Sequence, residues 1–305
     1  MTRLDTADGK LSGYGAESTR GLTRRSLLIL TAAVAFGTNT AQAAPRTDFS
    51  FGLTPVFLTS DLDLLEKMRV YFERAVGQTV RLVTRRTYQE ITSLLISGEL
   101  DAAWVCGYPF VANRAHMELV AVPLWRGKPL YQSYLIVDAD RPKADSIDNL
   151  EHDIHAFSDP DSNSGFLVTR TLLAERNRRP EEFFRKFFYT YSHRNVVRAV
   201  ASGLAESGSV DGYVWEVMTE TEPELTTRTR VIARSKMLGF PPIATSTAKV
   251  GSPAIKALQK ALIDMPTDSL GRSVLALLRL DGFAVEDPSL FDPIAAQMDL
   301  VRRAG

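Results

Sequence analysis

Residues 79–106 read TVRLVTRRTYQEITSLLISGELDAAWVC. Thr79–Thr84 alternates polar and apolar side chains, the period of a half-buried strand. Residues 88–97 carry apolar groups at helical spacing, and Gly98 supplies a stop. Asp101-Ala102-Ala103-Trp104-Val105 is a compact run for a buried strand. Strand, helix and strand in so short a stretch predict a parallel-rich sheet flanked by helices. The pattern extends upstream. Residues 48–54 read as a first strand, and Leu62–Val76 as a helix with Leu64, Leu65, Met68, Tyr71, Phe72 and Val76 on one face and Gly77 as its stop. Downstream, residues 119–124 and 131–137 read as strands. The alternation restarts after Asp148, with strands over 155–157, 187–190 and 210–214 and helices over 165–175 and 194–202. Two C-terminal helices follow, Pro253–Asp264 and residues 270–279. The first has Ser252 as its cap and Pro253 at its first position.

Composition narrows the class. The chain has 305 residues, with 36 basic and 36 acidic side chains and 45% hydrophobic residues. That is a globular composition of one large or two ordinary domains. Zero net charge argues against a nucleic-acid partner. The single cysteine excludes an internal disulfide framework and any zinc or iron–sulfur site built from several thiolates. The first residues have a different character. Thr23-Arg24-Arg25-Ser26 precedes a short apolar run, then Ala41-Gln42-Ala43-Ala44. A charged start, an apolar middle too short to span a bilayer and an A-x-A site make an export signal. The paired arginines resemble a twin-arginine leader; an ordinary secretory leader with two basic residues is the alternative. Residues 1–43 are therefore expected to be cleaved. The remainder carries 31 basic and 33 acidic residues and no later segment apolar for long enough to cross a membrane, so a soluble periplasmic protein is expected.

Two α/β units without a Pro/Ser-rich linker predict two lobes with a ligand cleft between them. Residues 44–132 and 240–305 are assigned to the first lobe and 133–239 to the second. The crossings are expected at residues 131–135 and 233–244. Ser158-Asp159-Pro160-Asp161-Ser162-Asn163-Ser164-Gly165-Phe166 joins a strand to a helix. Its hydroxyl and amide side chains suit a helix cap, and equally a site where first-turn N–H groups meet an oxygen-rich ligand. Ser192-His193-Arg194-Asn195 occupies a similar junction, where His193 is either a hydrogen-bond donor to a ligand or a capping residue. His152 and His155 lack a third ligand, so no metal site is expected there. Arg170, Arg176, Arg178, Arg179, Arg185 and Lys186 read as a solvated basic face. Walker A, dinucleotide-glycine, zincin and serine-hydrolase motifs are absent.

The motif order resembles the periplasmic phosphonate-binding (PhnD-like) branch of type II solute-binding proteins. The matching pieces are Thr54-Pro55, Thr87-Tyr88-Gln89-Glu90, Gly98 to Trp104, Pro129-Leu130-Tyr131-Gln132-Ser133, the Ser158 to Phe166 loop, Tyr191-Ser192-His193 and Val210-Asp211-Gly212-Tyr213. The resemblance implies a Venus-flytrap fold, two α/β lobes joined by two crossing strands, with a small oxyanion in the cleft, no catalysis and no cofactor. Thr54, Tyr88, Tyr131, Ser133, Ser162, Ser164, His193 and Asp211 then become candidate ligand contacts. Trp104, Tyr108 and Tyr213 are candidate cleft walls, equally plausible as ordinary core.

Cys106 departs from that family, where the position usually holds a small residue. It follows the strand ending at Val105, and Pro109 suits the first turn of a following helix. Carboxyl ends of strands line the crevice in α/β lobes, and a helix start lowers a thiol pKa. The plain alternative is a buried cysteine acting as a small hydrophobe. A sulfur ligand selects a thiophilic centre such as trivalent arsenic. With Cys106 the chain is similar to arsenite-sensing (AioX-type) periplasmic proteins. That resemblance implies arsenite as ligand and a membrane sensor histidine kinase as partner. The alternative is a phosphonate, phosphite or phosphate receptor feeding an ABC permease. A thiol enzyme using Cys106 and His193 is disfavoured, because the two fall on opposite lobes and no third group orients the histidine.

Overall fold

The computed structural model describes residues 48–55 and 61–304; the leader assigned to residues 1–43 lies outside them. The first lobe opens with β1 (Asp48–Leu53), α1 (Leu62–Val76), β2 (Thr79–Thr84), α2 (Tyr88–Ile96), β3 (Ala102–Trp104), α3 (Gly107–Ala112) and β4 (Met117–Leu124). The chain crosses through β5 (Leu130–Tyr131). The second lobe comprises β6 (Ser133–Asp138), β7 (Ile154–Phe157), α4 (Val168–Ala174), α5 (Pro180–Phe183), β8 (Lys186–Tyr189), α6 (His193–Ala201), β9 (Ser207–Asp211), α7 (Gly212–Thr221), α8 (Pro223–Thr226) and β10 (Thr229–Arg234). The chain returns through β11 (Leu238–Gly239) and finishes the first lobe with β12 (Ile243–Ser246), α9 (Pro253–Asp264), α10 (Ser269–Leu278), β13 (Gly282–Ala284) and α11 (Asp292–Arg303).

The two sheets share one plan. The first runs β2-β1-β3-β12-β4-β13 and the second β8-β7-β9-β6-β10. In each, three parallel strands in the order second–first–third are joined on one side by an antiparallel strand, β12 or β6. Parallel strands direct all their carboxyl ends to one edge, where ligands bind in open α/β sheets. β5 and β11 pair antiparallel, Leu238 opposite Tyr131. Ser133 and Ser235 tie the crossing further: the Ser133 N–H donates to Ser235 Oγ at 2.9 Å and the Ser235 N–H to the Ser133 carbonyl at 2.9 Å.

Local chemistry explains the element ends. Asp61 accepts from the Leu64 N–H to start α1, and Gly77, at φ +67°, closes it. Thr87 and Glu90 form a reciprocal capping box at the start of α2. Ser252 caps α9 with Pro253 in its first turn. Phe49, Phe51, Phe72, Ile91 and Leu95 fill the first lobe, and Phe157, Phe166, Phe183 and Phe184 the second. Each such side chain contributes about 1.5–3 kcal/mol on leaving water.

Three expectations are corrected. The strand expected over 210–214 is Ser207–Asp211, and Gly212 already begins α7. The helix expected from residue 165 begins as a π-type turn over Asn163–Leu167 before α4. A third C-terminal helix, α11, follows the two expected ones, its start marked by Asp292 and Pro293. It packs on α3 of the first lobe and on α4 of the second.

Candidate ligand-binding site

The facing carboxyl edges of the two sheets bring the polar residues together. From the first lobe come Thr54 after β1, Cys106 after β3, Tyr88 at the start of α2 and Tyr131 on the crossing strand. From the second come Ser158 and Asp159 after β7, Ser162 to Gly165 in the π-type turn, His193 at the start of α6 and Asp211 at the end of β9. All of these side chains are buried.

Four hydrogen bonds span the junction and hold the lobes closed. The Tyr88 N–H donates to Asp159 Oδ2 at 3.2 Å. Tyr88 Oη and His193 Nε2 lie 3.2 Å apart. The Asn163 N–H donates to Cys106 Sγ at 3.2 Å. The Asn163 side-chain amide donates to Tyr131 Oη at 2.9 Å.

The histidine tautomer follows from its partners. His193 Nδ1 accepts from the Asp211 N–H at 3.0 Å. A neutral ring then carries its proton on Nε2 and donates to the Tyr88 oxygen, which leaves the Tyr88 hydrogen directed elsewhere. Burial pushes His193 down to about 3, so the ring is neutral at physiological pH. Asp211 Oδ1 accepts from the Tyr213 and Val214 N–H groups at 2.9 and 3.3 Å, capping α7. Burial nevertheless raises its carboxyl to about 7, the capping bonds opposing it.

The expectation for Cys106 is reversed. Burial pushes its thiol up to about 12, against the N–H groups of Asn163 and Tyr108 that favour thiolate. The helix it precedes has six residues, and Asp211 and Asp159 add repulsion. Desolvation outweighs the helix start. Cys106 is therefore a neutral thiol at the interface between the lobes, not inside the first.

Other candidates serve the frame. Ser133 Oγ donates to the Ser164 carbonyl at 2.6 Å, and Ser162 Oγ accepts from the Gly165 N–H at 2.9 Å; both brace the turn. Ser164 Oγ lies 3.5 Å from Asp211 Oδ2. Thr54 Oγ1 donates to the Trp104 carbonyl at 3.0 Å. The Trp104 indole donates to the Pro241 carbonyl at 2.8 Å and its ring meets Phe283 edge-on, inside the first lobe. Tyr108 is half-buried on α3. Tyr213 donates to the Leu278 carbonyl at 2.6 Å, joining α7 to the first lobe.

Three residues outside the expected set stand in the cluster: Ser158, Asp159 and Asn163. Their one local signal is membership of a polar loop. Ser158 Oγ and Asn163 Oδ1 are buried with no hydrogen-bond partner. No lysine or arginine is among the buried described residues. His152 is exposed, whereas His155 is buried between Ser207 and Ser209. No group of three or more metal-ligating side chains occurs among the described residues. On the basic face, Arg176, Arg178 and Arg185 pair with Asp148, Glu151 and Glu206.

Two α/β lobes, two crossing strands and a polar cluster where the sheets face each other define a type II solute-binding protein. The chain belongs to the phosphonate-binding family: the model described as "ABC transporter, phosphonate, periplasmic substrate-binding protein" matches residues 51–291. It is 30% identical over 145 residues to the phosphate-import protein PhnD of Mycolicibacterium smegmatis, a match covering 45% of this chain and 44% of that protein. The chain thus spans less than half the length of that curated relative. Its fold is similar to a binding protein component of an ABC phosphonate transporter from Pseudomonas aeruginosa, with a TM-score of 0.77 and 23% identity over 85% of this chain and 88% of the other. It is also similar to PhnD1 from Prochlorococcus marinus in complex with methylphosphonate, with a TM-score of 0.74 and 15% identity over 84% and 99% of the two chains.

Proposed function

We propose that the chain is a periplasmic receptor that closes its lobes over a small oxyacid of phosphorus or arsenic. The observation carrying this reading is the set of four interlobe hydrogen bonds among Tyr88, Cys106, Tyr131, Asp159, Asn163 and His193. A ligand that contacts both lobes there shifts the population toward the closed form. Family membership and the named relatives favour the transport role: binding phosphonate, phosphite or phosphate and delivering it to an ABC permease. The export signal read in residues 1–43 accords with the periplasm.

One observation favours a second reading, arsenite sensing. The Cys106 sulfur lies at the lobe junction, in contact with Asn163 of the second lobe. Arsenite is neutral As(OH)3 near pH 7, which suits a buried shell without lysine or arginine. A neutral thiol also suffices: the S–H proton leaves with one arsenic hydroxyl as water while the As–S bond forms. The remaining hydroxyls would meet the hydroxyl and amide groups of the cluster. In this reading a membrane histidine kinase recognises the closed form.

Calorimetry of the purified protein against arsenite, phosphite, phosphate and methylphosphonate tests both. Binding of the phosphorus acids, unchanged in Cys106→Ser, supports transport. Arsenite binding that Cys106→Ser abolishes at nearly unchanged melting temperature, with arsenite shielding Cys106 from thiol reagents, supports sensing. No binding of any of the four rejects the oxyacid receptor.

A further inference from the structure

We propose that the enclosed oxyacid is held in a form that keeps an acidic O–H, and that Asn163 selects this form by accepting the hydrogen bond from it. The inference rests on the receptor reading above and specifies the charge state that site takes.

Every other polar atom of Asn163 has a partner, the amide nitrogen through one of its two N–H groups. Its N–H donates to Cys106, its side-chain NH2 to Tyr131, and its carbonyl accepts from the Val168 N–H. Only Oδ1, fully buried, is unpartnered. A buried acceptor is relieved by a donor alone. A fully ionised oxyanion offers only acceptors, whereas a protonated oxyacid presents an O–H.

The surrounding charges point the same way. The titratable groups clustered with Asn163 at the junction are Tyr88, Cys106 and Tyr131 from the first lobe and Asp159, Asp161, His193 and Asp211 from the second; beyond them, Tyr108 of α3 is half-buried and Arg170 of α4 lies over the outer Phe166 ring. Tyr88 and Tyr131 are held well above their usual range by burial, Cys106 is pushed up to about 12, and His193 is neutral above about 3. Burial raises Asp159 and Asp161 as well. The positive members of this junction cluster are thus absent at neutral pH, and every charge that remains in it is a carboxylate. Each added negative charge on a ligand would meet that repulsion in a dry site. Donors such as Tyr88 Oη and Ser158 Oγ would serve the ligand's unprotonated oxygens.

The test is the pH dependence of affinity, read by calorimetry between pH 5 and 9 with methylphosphonate, phosphite and arsenite. For methylphosphonate the dissociation constant should rise about tenfold per pH unit once the ligand loses its last proton, and it should do so in Asp211→Asn too, which removes the titration of Asp211. For arsenite, affinity should be constant until the acid itself ionises. Asn163→Leu should weaken binding of the protonated form by at least about tenfold at pH 6 and flatten the methylphosphonate profile. Affinity for methylphosphonate that is level or rises through its last ionisation in the unmodified protein overturns the inference while leaving the receptor reading intact. Failure of every oxyacid to bind at any pH overturns the receptor reading and this inference with it.

Discussion

His155 and His193 are sealed from water, one in the core of the second lobe and one at the junction. His155 stacks on Phe184 at 4.3 Å and hydrogen-bonds Ser207 and Ser209 through its two ring nitrogens at 2.8 Å each. Burial pushes both histidines down to about 3 from a usual 6.5. Between these values the unfolded chain binds more protons than the folded one, so their stabilisation is whole above about pH 6.5 and is lost as pH falls. Each contributes about 1.4 kcal/mol per pH unit in that window. Asp211 opposes them: raised to about 7 from 3.8, it favours the folded state in acid and loses that contribution as pH rises between the two values. Asp159 and Asp161, also raised by burial, act in the direction of Asp211, so the share that belongs to the histidines is a fall in melting temperature from pH 6.5 to 4.5. His155→Gln removes one share and should shrink that fall; an equal fall in the variant would reject the assignment.

The π-type turn decides the shape of the site. Gly165 sits where a Cβ would lie 1.9 Å from Ser158 Oγ and 2.9 Å from His193 Cε1. The Ser158 N–H also donates to the Gly165 carbonyl at 3.2 Å. The end of β7, the turn and the start of α6 thus touch at one point, and a single methyl group would part them. Gly165→Ala should weaken oxyacid binding at least about tenfold while the far-ultraviolet circular dichroism stays unchanged. Binding that survives intact would show that the turn does not frame the ligand. The neighbouring junction at Asp211 explains a misplaced boundary. Val210, Tyr213 and Val214 are residue types favoured in strands, yet the Asp211 carboxylate takes the first N–H groups of α7 and starts a helix instead. The cap signal is present in the residue type, but the β-branched and aromatic residues around it mask it.

Closure is a property of the whole molecule. At the cleft it rests on Asp159 and its neighbours. At the crossing it rests on α7, where Arg279 meets Glu220 at 2.8 Å and Arg126 meets Glu216 at 3.1 Å. Those ion pairs are exposed and contribute little, whereas Tyr213 beside them, bonded to the Leu278 carbonyl, is buried. The cleft set is buried, so loss of one partner strands another. Asp159→Ala removes the acceptor of the Tyr88 N–H and of the Asp161 N–H at 2.8 Å. It should shift the population toward the open form, weaken ligand about tenfold and enlarge the radius of gyration in X-ray scattering. Undiminished affinity with an unchanged radius would mean that closure does not depend on this bond.

Most of the frame was legible because its signals are local. Gly77, the Thr87–Glu90 box and Ser252-Pro253 act within a few residues of themselves, and apolar periodicity reports which face is buried wherever the partner lies. The amino-acid order alone therefore determined the strand–helix alternation, the two-lobed class and a polar loop at residues 158–166. What it did not determine is how distant groups meet. Cys106 touches an N–H that comes 57 residues later, and its proton affinity depends on how completely the second lobe excludes water from it. That desolvation, like the isolation of Asn163 Oδ1, is produced only when two sheets bring their edges together, because burial is a sum over neighbours and not a property of a residue's place in the chain.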